Sequence, residues 1–185
     1  MNISAIVMAS GFSNRMGENK LKLKVKDKRM FEYTVDLLEK LDFAEKILVT
    51  NDEDIKEYAN GKLKVYENPN AEIGKSESIR IGVENSGEVD GYMFFVCDQP
   101  FLKEDTVEKI VDKFYKEDLI TFPMYGKKRG APMVFPKSFK EGLLNLKEDE
   151  GGIVLITQEN SQSVSIDSEM EHIDIDTREE YEKIK

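Results

Sequence analysis

Ala5-Ile6-Val7-Met8-Ala9-Ser10-Gly11-Phe12-Ser13-Asn14-Arg15-Met16-Gly17-Glu18-Asn19-Lys20 is the most informative run of residues in this chain. The apolar residues from Ile3 to Ala9 suit a short strand buried on both faces of a sheet. Small residues follow at Ala9, Ser10, Gly11 and Ser13, and Gly17 closes the loop. Small side chains let backbone N–H groups approach an anion closely. Arg15 and Lys20 bring two cations to the same place. Strand, small-residue loop, Arg and Lys together supply what a triphosphate needs: oriented amide donors, a guanidinium fork and a mobile ammonium. The composition alone also suits an ordinary βα turn with incidental charges. Two common phosphate loops do not fit. Five residues separate Gly11 from Gly17 and Glu18 follows, where a P-loop has four and then Lys-Ser/Thr. Ser13 stands where G-x-G-x-x-G needs its second glycine.

A chain of 185 residues suits one domain over residues 1–185, burying roughly 70% of its unfolded surface without staples. A single cysteine, Cys97, rules out a disulfide framework and a cysteine zinc site, and a single histidine, His172, rules out a multi-histidine metal centre. No apolar run approaches the ~20 residues of a membrane span and the first residues lack a basic signal-peptide start. The expectation is therefore a cytoplasmic protein with no membrane contact. The net charge of −10 argues against a nucleic-acid binder. It leaves room for a small anionic substrate where cations concentrate, and Lys20, Lys22, Lys24, Lys26, Lys28 and Arg29 follow the loop. Leu21, Leu23 and Val25 alternate with these lysines, which predicts an extended amphipathic segment with a basic, solvated edge.

Apolar spacing predicts a helix over Met30–Leu41, a strand over Lys46–Thr50, a short helix over Asp52–Asn60 and a strand over Leu63–Tyr66. This alternation implies βαβ units and a mostly parallel sheet. Asn68-Pro69 starts a loop into Gly74-Lys75-Ser76-Glu77-Ser78-Ile79-Arg80-Ile81-Gly82, where a helix begins at or near Ser76 or Ser78. Plain N-capping by Ser76 is one account of that segment. The most apolar strand, Tyr92–Cys97, ends in Asp98-Gln99-Pro100. A carboxylate there lies where open α/β sheets bind ligands, although an Asp before Pro also simply forms turns. A helix over Glu104–Tyr115 and a strand over Leu119–Phe122 lead to Tyr125-Gly126-Lys127-Lys128-Arg129-Gly130-Ala131-Pro132, a basic turn between glycines. Lys137–Leu146 reads as helical, and Lys147–Gly152 as a turn before Ile153–Ile156. His172–Thr177 reads as the end of a strand, with Thr177-Arg178-Glu179-Glu180 a capping box for a last helix. An N-terminal helix acid would account for Asp176, and His172 reads as structural.

Gly-x-Ser-x-Arg-Met-Gly-x-x-Lys over residues 11–20, after Met8-Ala9-Ser10, resembles the molybdenum cofactor cytidylyltransferases within the MobA-like nucleotidyltransferases. Gly74-Lys75-Ser76-Glu77-Ser78, Asp98-Gln99-Pro100 and Asp174-Ile175-Asp176-Thr177 match that family in order, so the resemblance spans most of the chain. It implies a three-layer α/β/α Rossmann-like nucleotidyltransferase fold with a mostly parallel mixed sheet. It implies transfer of CMP from CTP to the terminal phosphate of molybdopterin, with Mg2+ as cofactor and pyrophosphate released. Ala9, Ser10, Gly11, Ser13, Arg15, Lys20, Gly74 and Ser78 would bind the nucleotide; Arg15, Lys20 and Asp98 would be catalytic; Asp98 and Asp176 would hold the metal. Arg129, Gly130 and Pro132 would meet the phosphorylated pterin acceptor, and a molybdoenzyme or chaperone would be a further partner. The chain departs from the family pattern at Ala131, Ile153 and Arg178. GTP in place of CTP, a sugar or alcohol phosphate as acceptor, and a non-catalytic nucleotide-binding module are the alternatives.

Overall fold

Strand β1 (Ile3–Met8) lies in the middle of a mixed sheet and pairs in parallel with β4 (Glu45–Val49) on one side and β6 (Gly91–Val96) on the other. The computed structural model describes residues 1–11, 19–168, 170–173, 175, 178–182 and 184, with only the backbone at 178. Beyond β4 lies β5 (Lys64–Tyr66), also parallel. Beyond β6 the order continues with β9 (Met133–Pro136), β7 (Ile120–Tyr125) and β10 (Ser161–Ser165), and β8 (Lys128–Arg129) forms a hairpin with β7. β9 runs antiparallel to both neighbours, so β7 and its parallel partner β10 point the same way as β6.

Alternation along the strands divides the core in two, as a period of two requires. Ile3, Ala5 and Val7 pack with α1 (Met30–Lys40), α2 (Glu53–Ala59) and α4 (Glu104–Glu117). Ile6, Ile47, Val49, Tyr92 and Phe94 pack on the other face with α3 (Lys75–Glu84) and α5 (Lys140–Leu144). Helices cover both faces, which is the expected three-layer arrangement. Among the described residues no helix is long and apolar enough to cross a membrane.

Two expectations change. The segment from Leu21 to Val25 is not one extended strand: Lys20–Lys22 is a 3-10 turn, and β2 (Lys24–Val25) pairs with β3 (Lys28–Arg29) as a small separate hairpin. Asn19 caps that turn by accepting from Leu21 N–H, and Leu21 and Val25 are buried. Residues 172, 173 and 175 are not in a strand either. Met170–His172 is a 3-10 turn, and Ile173 and Ile175 join Val25, Met30, Tyr33, Phe101 and Tyr181 in a third apolar cluster instead of a ladder. Polar β10 and the short β9 were not anticipated. The Thr177 cap lies outside the described residues; the last helix, α6, spans Arg178–Glu182.

This C-terminal segment straps two distant regions together. Ile175 N–H donates to the Asp98 carbonyl at 3.3 Å, and the Tyr181 hydroxyl donates to the Lys24 carbonyl at 2.8 Å. Buried Glu171 accepts from Lys103 N–H at the start of α4 and pairs with the Lys103 ammonium. The His172 ring stacks on Tyr125, with centroids 5.0 Å apart.

Candidate functional site

The strand register puts Met8, Val49, Tyr66 and Val96 on one level, so the segments that follow them emerge along a single rim of the sheet. That rim is where an open α/β sheet offers a ligand crevice. Ala9 is fixed there from both sides, its N–H donating to the Val49 carbonyl at 2.9 Å and its carbonyl accepting from the Thr50 hydroxyl at 3.0 Å.

Next to it the Ser10 and Ser78 hydroxyls, 68 residues apart in sequence, share a 2.5 Å hydrogen bond. Fully buried Asn68 organises the pair: its amide nitrogen donates to Ser10 Oγ at 3.3 Å and to Ser78 Oγ at 3.1 Å. Asn70 N–H donates to Asn68 Oδ1, which fixes the amide's orientation. The Asn51 side chain clamps the Asn68 backbone, accepting from its N–H and donating to its carbonyl, each at 2.8 Å. Proton counting gives this cluster a polarity. Asn68 supplies both amide hydrogens, and the two serines share one hydroxyl hydrogen between them. The second hydroxyl hydrogen has no partner within the cluster, and both serines line a cavity. That cavity is about 500 Å³ and is bounded also by Met8, Gly11, Gly74, Val96 and Asp149.

Asp98 follows β6, and its carboxylate holds the Lys20 ammonium at 2.8 Å across 78 residues of sequence. Both side chains are mostly shielded, at 17% and 24% exposure, so their attraction exceeds that of a surface pair. Lys20 is positioned by the capped 3-10 turn. Asn19 in turn donates to Asp52 at 3.0 Å, and Lys22 pairs with Asp52 and Asp54. The Cys97 thiol, beside Asp98, is wholly buried; burial first, then the Asp98 charge, push it up to about 12, so it carries no thiolate.

The predicted residues divide as follows. Ser10, Gly11, Gly74 and Ser78 line the cavity, Ala9 is held beside it by Val49 and Thr50, and Lys20 meets Asp98 at the same rim. Ser13, Arg15 and Asp176 lie outside the described residues. Ser76 is not the N-cap of α3: the helix begins at Lys75 after Gly74, and the Ser76 hydroxyl donates instead to the Glu148 carbonyl at 2.6 Å. Of the acceptor candidates only Arg129 is exposed. Its guanidinium lies 4.3 Å from the centre of the Phe122 ring, beside a second, open cavity of about 500 Å³ with Thr157 and Ser163. Gly130 and Pro132 are buried, and Gly130 is packed against Tyr125, where a Cβ would come within 2.5 Å of the ring. Asn51 and Asn68 carry no site role in the sequence reading, and Asp149 falls in the Lys147–Gly152 turn. Asn68 looked like the start of a loop, and only its lack of exposure marks it out.

A MobA-like NTP transferase domain matches residues 5–164. The chain belongs to that family. It is 28% identical over 118 residues to a probable molybdenum cofactor guanylyltransferase of Natranaerobius thermophilus, a match covering 63% of this chain and 57% of that protein. The chain thus matches little more than half the length of that relative. Its fold is similar to that of Rv0371c from Mycobacterium tuberculosis (TM-score 0.84, 22% identity, 98% of this chain and 96% of that one), which has also been crystallised with manganese. It is similar too to molybdopterin-guanine dinucleotide biosynthesis protein A from Archaeoglobus fulgidus (TM-score 0.76, 15% identity, 98% and 96% covered). As a MobA-like NTP transferase, the chain has its matched region ending at Val164, so the strap from residue 170 onward lies beyond it.

Proposed function

We propose that this protein transfers a nucleotidyl group from a nucleoside triphosphate, CTP on the first reading, to the terminal phosphate of molybdopterin. The single observation that carries the reading is the Lys20–Asp98 pair at the sheet rim, next to a cavity lined by the two serines. An acceptor phosphate oxygen forms the new bond to the α-phosphorus as the bond to the β-phosphate bridging oxygen breaks, and pyrophosphate leaves. A phosphate monoester is already an ionised nucleophile near pH 7, so the protein needs no Ser/His/Asp apparatus. Its task is positioning and charge neutralisation.

Lys20 would exchange its carboxylate partner for phosphate oxygens, and Arg15 would share that task. Ala9, Ser10, Gly11, Ser13, Gly74 and Ser78 would enclose the nucleotide, and Arg129 the acceptor. The Asp98 carboxylate already holds a cation in the form of the Lys20 ammonium, and a hard oxygen donor of this kind fits Mg2+. Asp98 and Asp176 would hold that ion, whose chemistry when bound is charge neutralisation and Lewis acidity at phosphate.

GTP is the second reading, favoured by the relative named as a guanylyltransferase. Pyrophosphate release is measured with Mg2+, molybdopterin and, in turn, CTP, GTP, UTP and ATP. Acceptor-dependent release with CTP supports the first reading, and release with GTP the second. Nucleotide binding without release in any mixture makes the protein a binding module and overturns the enzyme reading.

A further inference from the structure

The loop at Glu148 and Asp149 is stapled to the first turn of α3. Ser76 N–H and the Ser76 hydroxyl both donate to the Glu148 carbonyl, at 3.2 and 2.6 Å, and Lys75 N–H reaches Asp149 Oδ1 at 3.4 Å. Gly74 has a φ of +129°, and the loop leaves no room for a side chain there. A Cβ would lie 2.5 Å from the Glu148 carbonyl oxygen and 2.8 Å from the Asp149 nitrogen. Gly74 and Ser76 therefore serve to hold this loop, and the held loop makes Asp149 a fixed wall of the cavity that Ser10 and Ser78 line.

The Asp149 carboxylate has that one long hydrogen bond and no ion pair among the described residues. Glu72 lines the same cavity, and among the described residues Lys75 is the only cation in its wall. A triphosphate is repelled by two carboxylates at this end and drawn to Lys20 at the other part of the rim. The nucleoside therefore enters with its base toward Asp149. The serine pair has one hydroxyl hydrogen without a partner in its cluster, and Asp149 gives the cavity one acceptor.

We propose that Asp149 selects the base by accepting a hydrogen bond from an exocyclic amino group, as on cytosine or guanine. Uracil sets a carbonyl oxygen against the carboxylate in place of the cytosine amine, and hypoxanthine lacks the guanine amine. Uracil thus meets the carboxylate with a repelling oxygen, and hypoxanthine loses one donor to it, and either difference reads out as a difference in affinity. This inference rests on the nucleotide reading of the cavity given above.

The test is equilibrium binding of CTP, UTP, GTP and ITP with Mg2+, by calorimetry, to the native protein and to Asp149→Ala. Circular dichroism checks the fold, and Asp149→Leu, which has no acceptor, takes its place should the alanine variant unfold. The native protein is expected to bind CTP at least tenfold tighter than UTP, or GTP at least tenfold tighter than ITP. The variant is expected to bring that ratio below threefold by weakening the amino-bearing member. Equal native affinities within both pairs, or an unchanged ratio in the variant, overturn the proposal. Failure of all four nucleotides to bind the native protein overturns the nucleotide reading itself.

Discussion

On one side of β6 the sheet continues through β1, β4 and β5, all parallel; on the other it continues through antiparallel β9 to β7 and β10. The parallel half is sandwiched between helices, and its central strands β1 and β6 are nearly pure apolar runs. Its rim carries the buried Ser10–Asn68–Ser78 cluster and Asp98. The other half ends in an edge strand, Ser-Gln-Ser-Val-Ser, and its rim carries an exposed Arg129 that leans on an aromatic ring. Under the proposed function, the groups assigned to chemistry sit where both faces are covered, and Arg129, assigned to the acceptor, sits at the margin.

The contrast predicts unequal losses. Asp98→Ala should abolish turnover while the protein stays folded, and full activity with a native circular dichroism spectrum removes Asp98 from the site. Lys20→Ala should slow the reaction a few hundred-fold and raise the nucleotide requirement, by analogy with a lost oxyanion donor worth ~3–4 kcal/mol. Arg129→Ala should raise the acceptor KM severalfold with kcat little changed; a collapse of kcat would place Arg129 among the reacting groups and erase the distinction between the halves.

Stability should follow the same division. Ile6, fully buried in β1, should lose about 2–5 kcal/mol as Ile6→Ala, whereas Ser163→Ala in β10 should stay within about 0.5 kcal/mol. Urea unfolding reads both, and comparable losses would mean that β10 is as integral as β1.

A pH-dependent effect concerns Asp36 on α1. Burial alone would raise its carboxyl, but hydrogen bonds from Lys28, Tyr58 and Lys62 outweigh burial and hold it below the usual carboxylate range. A depressed folded value stabilises the protein above the unfolded carboxyl's pKa of about 4, and the contribution fades as pH falls through the folded value. Asp36→Asn should therefore cost on the order of 1 kcal/mol at pH 7. The gap between variant and native melting temperatures should close as the pH drops below about 4. A gap that persists at pH 2 assigns the loss to shape instead of charge.

The parallel half was legible because burial on two faces leaves an unmistakable trace: Ile3–Ala9 and Tyr92–Cys97 read as strands from hydrophobicity alone. β10 left no such trace, with one apolar residue in five; it is held by parallel pairing to β7 and by Gln162 donating to the Lys113 carbonyl and the Thr121 hydroxyl. The site follows the same logic. Lys20, Asp98, Ser10 and Ser78 stood out by chemistry and by position after strands. Asn68 and Asn51 act through backbone clamps that close only when β4 and β5 lie side by side, so local sequence gives them the look of turn residues. Ser76 sat in the right segment for a cap, and only the distant Glu148 carbonyl redirects its hydroxyl.

The strap from Met170 to Ile184 has a consequence for the order of biosynthesis. β1, the Lys20 turn and β6 leave the ribosome early, yet the backbone at Asp98 and the hairpin at Lys24 gain Ile175 and Tyr181 as partners only after β10 has been made. A nascent chain thus carries a finished sheet before it carries a finished rim, and premature termination beyond β10 would yield a folded but loosely braced protein.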